Sequence, residues 1–83
     1  MTNKILPCVV GLGYVGLPVF VRLNKKYQTV GFDTDLLRVN SLKNKRDLNK
    51  EINAKELNLR NDSMITSNLE HIKQSNFYII TVP

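Results

Sequence analysis

Cysteine is almost absent from this 83-residue sequence, and the single Cys8 can form no internal disulfide. Stability must come from packing, which suits a reducing compartment. No apolar run approaches the roughly 20 residues of a bilayer crossing. The N-terminus also lacks the long apolar core and small-residue cleavage site of a signal peptide. Both absences lead to the expectation of a soluble, cytoplasmic protein. There is no internal repeat and no low-complexity linker. An apolar content of 42% is ordinary for a globular chain, and the length bounds it to one small domain or part of one.

Acidic residues are in the minority, 7 against 12 Lys and Arg, for a net charge of +5. Much of the excess lies in residues 43–60. Such a balance can mark a nucleic-acid surface. Here Asp47, Glu51 and Glu56 interrupt the bases, and no aromatic lies among them to stack on a base. The mixed charge reads as a solvated helical face, and no nucleic-acid partner is expected.

Glycine is scarce too, and that gives its placement meaning. Three of the four glycines, Gly11, Gly13 and Gly16, fall in V-G-L-G-Y-V-G-L-P, residues 10–18. They fit G-x-G-x-x-G after an apolar run and before an amphipathic helix. Gly11 lets the backbone turn sharply out of a strand, Gly13 leaves the main chain bare for a pyrophosphate, and Gly16 lets the helix pack on the sheet. The free N–H groups and dipole of the first helical turn then face the phosphates. A second apolar stretch ends at Asp33, twenty residues beyond Gly13, the spacing at which an acid meets the adenosine ribose hydroxyls. A plain strand–turn–helix explains the glycines but not Asp33.

Residues 4–10 read as the first strand, its paired part beginning near Cys8 because Pro7 suits no central position. Cys8 is expected to be a buried, unreactive thiol. A helix follows over 14–26, with Val15, Val19 and Leu23 on its apolar face and Pro18 early in it. A second strand covers 28–32. Thr34 or Asp35 caps a second helix reaching Lys43, with Leu36, Val39 and Leu42 inward. Residues 44–53 form a connection, 54–59 a short helix, and 64–66 a brief strand. Ser67-Asn68-Leu69-Glu70 is a capping-box pattern opening a short helix through Lys73. F-Y-I-I-T-V, residues 77–82, is a continuous apolar strand of the kind buried on both faces of a parallel sheet.

This order predicts an α/β, Rossmann-type fold. It is a partial doubly wound parallel sheet of four strands, order 3-2-1-4, with flanking helices. The fourth strand would be an uncovered apolar edge, so self-association through residues 77–82 is expected. Residues 1–83 read as the front part of a larger protein.

The motifs as they stand resemble the UDP-glucose/GDP-mannose dehydrogenase family, at its N-terminal NAD-binding domain. G-L-G-Y-V-G-L-P at 11–18 is close to the family's own form of the glycine motif. V-G-F-D at 30–33, D-x-x-x-x-R from Asp33 to Arg38, and N-F-Y-I-I-T-V-P at 76–83 match in order and spacing. The last is similar to the branch acting on UDP-N-acetylhexosamines. The resemblance implies NAD as cofactor. Gly11, Gly13 and Gly16 would form the turn, Tyr14 and Val15 lie at the phosphates, Asp33 on the ribose, and Arg38 beside the adenosine. For Arg38 the residues alone are equally compatible with a solvated helix side chain.

Family enzymes oxidise the primary alcohol of a nucleotide-sugar to a carboxylate, supplying polysaccharide precursors. Their catalytic groups match nothing within these 83 residues, so the resemblance implies no catalytic residue here, and a nucleotide-sugar substrate only for the full-length enzyme. Three positions depart from the pattern: Phe20 stands where alanine is usual, and Asn24 and Lys45 where glycine is common. Overpacking at Phe20 would cost ~1–3 kcal/mol. A non-catalytic NAD-binding module remains an alternative, as does an unrelated NAD enzyme, which would not explain Y-V-G-L-P together with F-Y-I-I-T-V-P.

Overall fold

A computed structural model describes residues 4–47, 50 and 52–81. Four parallel strands form one sheet in the order β3-β2-β1-β4, as the crossover rule predicts. β1 (Pro7–Val10) is interior and pairs with β2 (Val30–Phe32) on one side and β4 (Phe77–Ile80) on the other. β3 (Met64–Thr66) extends the sheet beyond β2. Pro7 is tolerated because it opens its strand. Cys8 is fully buried, and burial pushes its thiol up to about 11, against a weaker opposing pull from Ser75. The thiol is inert at neutral pH.

α1 (Gly16–Asn24) is shorter at both ends than its expected span and turned relative to the expected stripe. Its buried side is Gly16, Leu17, Phe20, Val21 and Asn24; Val15 is exposed, and Val19 and Leu23 only flank the core. Gly16 is the cause. It is the point of closest approach to the strand–helix turn, so the residues one and two turns along from it face inward. Phe20 does not overpack. Gly31 on β2 lies under its ring, and a Cβ there would come within 3.0 Å of Phe20 Cε1. Asn24 is buried and accepts the Arg60 N–H through Oδ1 at 3.0 Å.

α2 (Leu36–Lys43) is capped by Asp35, which accepts the Arg38 N–H at 3.2 Å. Its buried row is Arg38, Val39 and Leu42, whereas Leu36, expected inward, is exposed. The helix closes with Arg46 N–H on the Ser41 carbonyl (2.8 Å) and Lys45 N–H on that of Leu42 (2.9 Å), a Schellman motif. Lys45 occupies its left-handed position at φ 60°, which explains the departure from glycine as a strained residue rather than a different turn. Lys45→Gly is expected to raise stability by about 1 kcal/mol in urea melts. An unchanged or lower midpoint would show that the lysine side chain itself stabilises the turn.

The expected helix over 54–59 is a run of turns instead, with Glu56, Leu57 and Asn58 N–H groups reaching back three residues. Asn53 and Glu56 cap each other, and Leu57 is driven into the core, so the segment is anchored without completing a helix. Residues 48, 49 and 51 of the expected connection lie outside the described residues. The capping pattern after β3 is shifted by one: Asn68, not Ser67, accepts the Glu70 N–H at 2.9 Å, ahead of a single 3-10 turn, Leu69–Ile72. The β4 run is exposed rather than covered on both faces, with Phe77 56% and Ile80 68% accessible. Val82 lies outside the described residues. One cluster, from Val9, Leu12, Leu17 and Phe20 to Val39, Leu42, Leu57 and Ile65, joins sheet, both helices and the 54–59 segment. Among the described residues no helix is long and apolar enough to cross a membrane.

Candidate functional site

β1 and β2 deliver Gly11 and Asp33 to the same end of the sheet. Gly11 leaves β1 at φ 98°, a conformation a side chain would strain, and its N–H donates to the Phe32 carbonyl at 2.8 Å. The chain reverses through Leu12 and Gly13 into α1. The Leu17 N–H closes the first turn on the Gly13 carbonyl at 3.1 Å. The N–H groups of Gly13, Tyr14, Val15 and Gly16 have no partner among the described residues. No side chain caps α1, and no acid lies in its first turn. That leaves the positive end of the helix to an external acceptor.

Asp33 is held tightly. Oδ2 accepts the Leu12 N–H and Oδ1 the Asp35 N–H, both at 2.9 Å. Each carboxylate oxygen keeps a further lone pair for an outside donor. Around these groups opens a cavity of about 720 Å³, lined by Gly11, Gly13, Tyr14, Val15 and Asp33, together with Thr34, Ile80 and Thr81. A Cβ built on Gly13 would meet nothing within 4 Å. Its bare Cα therefore gives an approaching group access to the backbone.

The other two expected residues stand behind this surface. A Cβ on Gly16 would collide with the Gly11 carbonyl oxygen and the Thr81 hydroxyl, so Gly16 seats the helix. Arg38 is 8% exposed, which removes the reading of it as a solvated helix residue. Its Nε donates to the Leu12 carbonyl at 2.7 Å and its Nη1 to Asp47 Oδ1 at 2.7 Å.

Sequence reasoning missed Thr81, whose hydroxyl donates to the Gly11 carbonyl at 2.9 Å and fastens β4 to the turn. Its place at the carboxyl end of a strand beside β1 was a usable signal. It also missed Asp47, which looked like one acid among many bases.

The fit to a dinucleotide is good on this geometry: four free amides, an open Gly13, and a carboxylate fixed at the far end of the second strand. The comparisons agree. The model of a family described as "UDP-glucose/GDP-mannose dehydrogenase family, NAD binding domain" matches residues 4–83. The chain is 49% identical over 81 residues to UDP-N-acetyl-D-glucosamine 6-dehydrogenase of Salmonella typhi, covering 98% of this chain and 19% of that protein. It is 45% identical over 75 residues to Protein CapL of Staphylococcus aureus, covering 90% of this chain and 18% of that protein. The Pseudomonas aeruginosa UDP-N-acetyl-D-glucosamine 6-dehydrogenase is 43% identical over 75 residues, again 90% and 18%. The chain thus spans about a fifth of the length of the curated relatives it matches.

Proposed function

The chain belongs to the UDP-glucose/GDP-mannose dehydrogenase family, at its NAD-binding domain, and from that premise we propose what these residues do. They form the front part of a Rossmann domain that holds NAD for the oxidation of a UDP-sugar primary alcohol to the carboxylate. The oxidation serves polysaccharide precursor synthesis. The remaining strands and the catalytic and substrate-binding domains belong to other parts of the full-length enzyme, and the nucleotide-sugar is bound there. Its place of work is the cytoplasm. In the 83-residue chain β4 is also a surface for self-association.

The observation that carries the reading is the pairing, in one cavity, of free amides at the start of α1 with Asp33 at the end of β2. Gly11 and Gly16 set the turn. Gly13, with the Tyr14 and Val15 amides, receives the pyrophosphate. Asp33 accepts the adenosine ribose hydroxyls, and Arg38 serves the same site. NAD, when bound, supplies the hydride acceptor. The part of these residues is to bind it, orient it and select it.

Selection gives the test. Asp33 and Asp35 present negative charge where NADP carries its 2′-phosphate. Calorimetric titration of the chain is expected to show NAD bound more than tenfold tighter than NADP. Equal or tighter NADP binding would overturn the assignment of Asp33.

A further inference from the structure

The Leu12 peptide is gripped from both ends. Its N–H goes to Asp33 and its carbonyl to Arg38 Nε. Arg38 is in turn held by Asp47, whose side chain is fully buried and whose other oxygen accepts the Ile52 N–H at 2.8 Å. A buried ion pair is a poor way to gain stability, because desolvation offsets much of the attraction. This pair has a directional consequence instead. The Leu12 carbonyl accepts from Arg38 and not from Gly16, four residues on, and the first helical bond of α1 is Leu17 to Gly13. The helix thus starts one residue late, with the Gly16 amide still free beside those of Gly13, Tyr14 and Val15.

We infer that Asp47 is a positioning residue for the nucleotide: through Arg38 and the Leu12 carbonyl, it sets the glycine turn so that its amides face the pyrophosphate. Arg38 acts on the site through Leu12 rather than through a nucleotide atom. The inference rests on the NAD-binding reading above. It makes Asp47, which does not line the cavity, part of the binding machinery.

The test compares ligands that do and do not carry phosphate. NAD and ADP are titrated calorimetrically into the wild-type chain, Asp47→Asn and Arg38→Lys, and adenosine is measured by competition against NAD. Asp47→Asn removes the charge but keeps an acceptor. Arg38→Lys keeps the charge but loses the fork that spans Leu12 and Asp47. Each variant is expected to bind NAD and ADP about tenfold more weakly, the scale of one lost charge-assisted contact, and adenosine within twofold of wild type. A parallel loss for all three ligands would mean a general structural role or a direct adenosine contact, and would overturn the inference, as would no loss for any. Should Asp47→Asn fail to fold, Arg38→Lys must show the same split alone, and failure of both to fold also counts against it. If the wild-type chain binds no NAD, the reading of the site itself has failed, and the wild-type titration shows that separately.

Discussion

Gly16→Ala is expected to abolish nucleotide binding and to remove about 3 kcal/mol of stability, whereas Gly13→Ala is expected to cost binding alone. The two glycines share a motif but not a physical reason. At Gly16 an added Cβ meets the Gly11 carbonyl oxygen and the Thr81 hydroxyl. The first of these is backbone and cannot swing aside, so α1 must lift from the turn. Overpacking of this kind costs ~1–3 kcal/mol, and a rigid obstacle puts it at the upper end. For a domain of this size, with a total margin of about 5 kcal/mol, that is a large share. At Gly13 the added methyl stands in open space. The folded chain should tolerate it within about 0.5 kcal/mol, but the methyl occupies the approach of the pyrophosphate. Urea melts and NAD calorimetry on both variants separate the two roles. Wild-type stability in Gly16→Ala would refute the close seating of the helix, and wild-type affinity in Gly13→Ala would refute the pyrophosphate position.

The sheet order, the glycine turn and the placing of Asp33 were legible because they depend on backbone constraints that only a few residues satisfy. The helix faces were less so. The apolar stripe Val15, Val19, Leu23 reads well on a helical wheel, yet the contact that orients α1 belongs to a glycine, which contributes nothing to a hydropathy pattern. Leu36 misled in the same way: hydrophobicity predicted burial, but the inward place on α2 goes to Arg38, because Leu12 and Asp47 supply its partners. That pairing joins α2 to the segment after it through a carbonyl of the glycine turn, and spacing could not reveal it. The Phe20 departure shows the converse. Read alone it suggests a clash, and read with Gly31, eleven residues further along the chain and on β2, it is a matched pair of large and absent side chains.

The sheet edge carries the other large effect: the 83-residue chain, expressed alone, is expected to self-associate through β4. That strand pairs with β1 on one side and, among the described residues, with nothing on the other. Tyr78 is tied down by its hydroxyl, whose one proton is shared between the Ile72 carbonyl at 2.6 Å and the Ser75 carbonyl at 3.0 Å. Phe77 and Ile80 have no such tether and remain more than half exposed. Unpaired N–H and C=O groups beside exposed apolar side chains form a template for another strand. Covering a side chain of this type fully is worth ~1.5–3 kcal/mol, so two partial burials per chain, doubled across a symmetric pair, favour association at micromolar concentration. Ile80 lines the nucleotide cavity and is a poor place to intervene. Phe77 does not line it, and its partner in the sheet is Pro7, at the start of β1. Phe77→Lys puts a charge on the edge without touching the cavity, and it is expected to yield a monomer in sedimentation velocity while NAD affinity stays within twofold. A wild-type chain that sediments as a monomer at every concentration tested would show that this edge attracts nothing.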